Sequence, residues 1–140
     1  MRQVITTTGV LTIIALASWL SWSCKEDTTQ TETNVIVFPD SNVSYLRHVQ
    51  PYFDRGCGGQ SSQCHGAETF DQHGGFSLDS YEDATHRIDI IVPGAPEASL
   101  LVKRMEGSAQ PKMPPPNFPP PNSNQLNGIK RWIKEGAQNN

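Results

Sequence analysis

The sequence has little of what enzyme active sites are usually built from. No paired carboxylates, no Ser-His-Asp arrangement and no glycine-rich phosphate loop can be picked out of its 140 residues. Basic residues are few and scattered. Eleven Lys and Arg against fourteen Asp and Glu leave a net charge of −3, and no basic patch points to nucleic acid. There is no internal repeat and no alternating strand pattern. The apolar run near the N-terminus is interrupted by Ser and Thr, which works against the roughly 20 apolar residues a membrane span needs. Cysteine and methionine are scarce, at three each, whereas Gly and Pro are plentiful, at 11 each. Their clustering implies long loops. A small domain with long loops buries little core and usually needs a staple: disulfides, a metal or a large cofactor.

Residues 1–23 read as a signal peptide of the lipoprotein type. Arg2 supplies the positive start and residues 10–17 the apolar centre. Leu20-Ser21-Trp22-Ser23-Cys24 resembles a lipobox, in which Cys24 is acylated and becomes the mature N-terminus. The alternatives are an ordinary signal peptide or an uncleaved single-span anchor. All three place the domain outside the cytoplasm. Residues 24–41 are polar and are expected to form a flexible tether, leaving 42–138 as the folded domain. Lys25-Glu26-Asp27 directly after the cysteine also looks like a surface-export signal of lipoproteins.

Within that domain Val43, Leu46, Val49 and Phe53 recur at helical spacing, with Asp40 or Ser41 available as cap and Pro51 expected to kink the helix before Gly56 ends it. A short helix is expected over 80–87 with Ser80 as cap, another from Pro96 to Gly107, and a last one from about Ser123 to Gly136, capped by Asn122 or Ser123. The last carries an apolar stripe of Leu126, Ile129, Trp132 and Ile133. Residues 111–122 hold seven prolines and should run extended, close to polyproline geometry.

If Cys24 takes lipid, Cys57 and Cys64 remain, and His65 follows Cys64 directly. A Cys-x-x-Cys-His run attaches haem c: two thiols add to the haem vinyl groups and the adjacent histidine becomes the proximal iron ligand. Here the spacer is six residues, 58–63, so four must bulge outward, which Gly58 and Gly59 permit. Two thioethers, or one from Cys64 alone, are compatible with this spacing. A Cys57–Cys64 disulfide and a zinc site drawn from Cys57, Cys64, His65 and His73 are compatible with it as well.

The flanking segments bear on that choice. Arg47-His48-Val49-Gln50-Pro51-Tyr52-Phe53-Asp54-Arg55-Gly56-Cys57, Cys64-His65-Gly66, Gly75-Phe76-Ser77-Leu78-Asp79-Ser80-Tyr81, the run from Ile91 to Leu101, Lys112-Met113-Pro114-Pro115 and the run from Ile129 to Ala137 occur in this order. Together they resemble small bacterial cytochrome c domains of the planctomycete type, over about residues 43–138. The resemblance departs from the family at the long cysteine spacer. It implies an all-α, cytochrome c-like domain of three to four short helices with long loops around one haem. It also implies one covalent haem c per chain on Cys57 and Cys64, with His65 as proximal ligand and Met113 as the distal one.

The residues lead to Met113 independently. His/Met ligation is common in cytochromes c, and only Met105 and Met113 lie beyond the signal segment. Met105 follows Leu101 by four on a helix and reads as core packing, whereas Met113 sits in a proline-stiffened loop that loses little entropy on binding. His48, His73 and His86 are the rival ligands. Trp132 and Tyr52 read as core where helices cross. The expected function is an exported electron-transfer protein, an electron carrier rather than an enzyme. It would dock on redox partner proteins, be held to the membrane by its lipid anchor, and bind no nucleic acid. The alternatives are a haem-free lipoprotein that binds a partner, closed by the disulfide, and a small haem peroxidase with an open distal position.

Overall fold

The computed structural model of the chain describes residues 36–58, 64–72 and 74–140. The expected signal peptide, the lipidation candidate Cys24 and the rival ligand His73 lie outside the described residues. Among the described residues the chain is all-α, with no strand. Four helices carry it: α1 Gln50–Gly56, α2 Tyr81–Thr85, α3 Leu100–Glu106 and α4 Ser123–Lys134. Among the described residues no helix is long and apolar enough to cross a membrane.

A wide π-type turn, Tyr45–Val49, leads into α1. It lies directly ahead of Pro51, whose missing N–H leaves a helical carbonyl without its usual donor. This turn corrects two sequence expectations. The cap is Ser44, whose hydroxyl accepts from the Arg47 N–H, and not Asp40 or Ser41. The wider pitch also changes which side chains share a face: Tyr45, Val49 and Phe53 are buried, while Leu46 is 65% exposed.

The other helices are capped by the residues expected, but the helix expected from Pro96 is split: Pro96–Ala98 is a separate 3-10 turn, Ser99 is extended, and α3 begins at Leu100. Ser80 caps α2 by accepting from the Asp83 N–H. Gly107 closes α3 in the left-handed conformation at φ 84. Asn122 and Gln125 form a reciprocal capping box at α4. Buried Ser99 holds the turn before α3 with one hydroxyl, which accepts from the Val92 N–H (2.9 Å) and donates to the Ala95 carbonyl (3.1 Å).

The core lies where the opening turn and α1 cross α4. Trp132 is fully buried, its indole N–H donates to the Gln138 carbonyl (3.0 Å), and its ring meets Tyr45 at 5.5 Å and Phe53 at 6.4 Å between centroids. Tyr81 reaches the same cluster edge-on to Tyr45 and donates to the Ala137 carbonyl. Ile129 and Ile133 complete the α4 stripe.

The two ends of the domain are clasped together. Both carboxylate oxygens of Glu135 accept backbone N–H groups, from Asn42 (2.9 Å) and Val43 (2.8 Å). Asn140 accepts from the backbone of Tyr45 and Leu46. Packing also extends beyond 42–138. Phe38, within the stretch expected as a tether, is 2% exposed. Its N–H and carbonyl pair with the Asn124 amide at 2.8 and 2.9 Å. Gly128 makes room for it, since a Cβ there would lie 2.0 Å from the Phe38 ring.

Gly128→Ala is therefore expected to cost about 1–3 kcal/mol by overpacking, and Phe38→Ala about 3–5 kcal/mol. In the double variant the added methyl should cost almost nothing, because the ring it strikes is gone. Denaturant unfolding of all four proteins checks this, and strictly additive losses would refute the contact.

Candidate functional site

Below α1 the domain holds a cavity of about 790 Å³, a size usual for sites that enclose a small molecule or cofactor. Its walls bring together Cys57, Cys64, His65 and Met113, which come from three separate parts of the chain. Between them the lining is mostly apolar, with Tyr52, Phe76, Leu78, Leu101 and Met105 prominent.

Three of the four, Cys57, His65 and Met113, are positioned by main-chain hydrogen bonds. Cys57 caps the C-terminus of α1, with its N–H donating to the Phe53 carbonyl. His65 donates its backbone N–H to the Cys57 carbonyl (3.0 Å), so the two ends of the cysteine spacer meet at a neck. Gly58 makes that neck possible. Its φ is +109, and a Cβ there would stand 2.7 Å from the His65 nitrogen and 2.9 Å from that of Cys64. The outward bulge anticipated from the six-residue spacer falls on residues 59–63, which lie outside the described residues.

The far side of His65 is fixed too. Its carbonyl accepts from the Leu78 N–H (2.7 Å), and the next loop is tied by the Ala67 N–H donating to Asp79 (2.5 Å). Gln50 on α1 donates to the Leu78 carbonyl (3.1 Å) and is itself hydrogen-bonded to the Tyr45 hydroxyl, so the histidine segment is joined to the core. The imidazole is 6% exposed and lies against Phe76, centroids 4.4 Å apart.

Met113 is half-buried, and its N–H donates to the Arg104 carbonyl at the end of α3 (3.0 Å). The proline-rich segment that carries it is not the extended polyproline run expected from composition. It bends over the cavity, with a turn in which the Phe118 N–H donates to the Pro115 carbonyl (2.9 Å). Met105 is buried in the core, as its spacing suggested, and also touches the cavity.

The rival histidines stand elsewhere. His48 accepts from the Ser44 N–H through Nδ1 (3.0 Å) and packs near Phe38, so it is a half-buried capping residue rather than a solvated one. His86 is exposed at the end of α2. Cys57 and Cys64 are both free thiols. Burial, with a smaller contribution from the neighbouring Cys64, pushes the Cys57 thiol up to about 12. Burial likewise raises the Tyr52 phenol. Among the described residues no three of His, Cys, Asp or Glu gather to hold a metal ion by themselves, so the zinc reading has no donor set there.

Three contributors escaped the sequence reading. Phe76 and Gln50 left no signal, because each acts through a contact distant in the chain. Arg104 was within reach: it lies three residues after Leu101, on the helix face that lines the cavity.

The lining fits a covalently held haem: two thiols, an imidazole next to the second, a thioether on another loop and apolar walls. A buried Arg104 Nε without a hydrogen-bond partner also fits a ligand bearing acid groups. Comparison with known families agrees. Residues 62–117 match the family described as Planctomycete cytochrome C. Comparison with curated proteins and with solved structures gives no match. The matched stretch carries Cys64, His65 and Met113 and leaves out Cys57. The part of the chain that lines the cavity from Cys64 to Met113 thus lies within the stretch that is similar to planctomycete-type cytochrome c.

Proposed function

We propose that this protein is an exported mono-haem cytochrome c that carries electrons between redox partner proteins and is held to a membrane through lipid on Cys24. The observation that carries the reading is the meeting of Cys57, Cys64, His65 and Met113 around one largely apolar cavity. Haem bound there supplies one-electron redox chemistry.

The chain's own residues do the rest. Cys57 and Cys64 hold the macrocycle through thioethers. His65, fixed by backbone bonds on both sides and by the Phe76 ring, serves as proximal ligand. Met113, seated on the Arg104 carbonyl, serves as the distal one. Tyr52, Leu78 and Leu101 keep water from the centre. With His65 and Met113 both available as ligands, a bound haem would offer no open position to a substrate, which favours a carrier over a peroxidase.

Burial holds the Cys57 thiol in its protonated form. Zinc ligation requires thiolate, and burial opposes that form at Cys57. Since the pKa rises on folding, the folded chain keeps its proton at alkaline pH where the unfolded chain loses it. The haem-free protein under folding conditions should therefore alkylate at Cys57 much more slowly at pH 8 than in denaturant, with the rate climbing towards pH 12. Equal rates in the two conditions, followed by mass spectrometry, would contradict the buried setting.

The function itself is tested by a pyridine haemochrome spectrum with intact mass on protein made with cytochrome maturation machinery. The expected product is red, one haem heavier, and has both thiols consumed. A colourless product with the two thiols paired would instead support a haem-free lipoprotein closed by a disulfide. Met113→Ala should change the visible spectrum and lower the midpoint potential, and an unaltered spectrum would overturn His/Met ligation.

A further inference from the structure

We propose that Arg104 binds a carboxylate of the cavity's ligand and couples that contact to the seating of Met113. The inference rests on haem being the ligand, since its two propionates are the acid groups in question.

Three observations converge on this residue. The first is charge: Arg55 and Arg104 line the cavity, and among the described residues no Asp or Glu lines it. A largely apolar wall with cations and no carboxylate selects a ligand that brings its own negative charge. The second is an unmet donor. Arg104 Nε is buried and has no hydrogen-bond partner. Leaving such a donor unsatisfied is costly, and more so on a charged group. Other arginines of the domain find acids, Arg87 on Asp89 at 2.8 Å and Arg131 on Asp40 at 3.6 Å. Among the described residues Arg104 has no such pairing. A guanidinium is shaped to take a carboxylate through two parallel N–H donors, and a ligand carboxylate would meet that demand.

The third observation lies in the same residue's main chain. The Arg104 carbonyl accepts from the Gly107 N–H (3.2 Å), which ends α3, and from the Met113 N–H (3.0 Å). The side chain that faces the ligand and the carbonyl that seats the methionine loop therefore share one Cα. An acid held by the guanidinium fixes the end of α3, and with it the start of the loop that delivers Met113. Arg104 is a ligand-binding residue through its side chain and a positioning residue for Met113 through its backbone.

The test uses the haem-loaded full chain, with Arg104→Gln and Arg104→Lys compared with wild type by resonance Raman in the propionate-bending region and by potentiometry. Arg104→Gln should shift the propionate band and lower the midpoint potential, because a cation beside the haem favours the reduced state. Arg104→Lys should restore the potential, since it keeps the charge, but not the band, since it lacks the two-pronged donor. An unshifted band in both variants, or equal potentials in Gln and Lys variants, overturns the inference while leaving the haem reading intact. If Arg104→Gln gives no holoprotein, Arg104→Lys decides alone by its band: shifted supports, unshifted overturns. A wild-type chain that takes up no haem defeats the underlying reading and this inference with it.

Discussion

The arrangement depends on how the backbone grips His65. Its N–H donates to Cys57 and its carbonyl accepts from Leu78. The residue is thus tied on one side to the end of α1 and on the other to the loop that leads to α2. A side chain supported from both directions loses little freedom when it binds, which is how a ligand site is made ready in advance. Remove either bond and the residue would be tied to the fold from one side of its backbone instead of two. The Gln50 amide extends the grip into the aromatic core through the Leu78 carbonyl. Rigidity built around Trp132 is thereby passed to the cavity wall.

The core and the cavity divide the domain between them. The crossing of the opening turn with α4 buries a cluster of aromatic and branched side chains against one another. The cavity is a second apolar region, left unfilled by the protein's own side chains. A loop-rich chain with few large hydrophobics was expected to lack the means for a single continuous core. What it builds is a compact half that fixes the helices and a hollow half that they enclose. The similarity of residues 62–117 to planctomycete-type cytochrome c agrees with a cofactor completing that second half.

Much of this was legible in the residues, and the exceptions have physical causes. Helix ends could be read because capping is local: Ser80, Gly107 and Asn122 each act within a few residues of themselves. Cys57, Cys64, His65 and Met113 could be named because their chemistry is distinctive, and the fold brings them to one place. Leu46 was misassigned because a π-type turn alters the helical period that the pattern assumed. The packing of Phe38 was hidden because it depends on a gap at Gly128, ninety residues further along the chain. The bends of the proline-rich segment follow from its place over the cavity, which composition does not encode. The backbone grip on His65 escaped for the same reason, since the Leu78 N–H has no feature of its own.

The neck between Cys57 and His65 separates geometry from chain length. Once the carbonyl of one and the N–H of the other are paired, and Gly58 allows the two lengths of backbone to touch, the placing of the pair no longer depends on how many residues separate them. Closing a longer connection adds only about 0.6 kcal/mol for each doubling of its length. Insertions there are energetically cheap, whereas any side chain at position 58 is not. Relatives sharing this device would be found by a glycine directly after the first thiol and a Cys-His pair at the far side, whatever number of residues lies between.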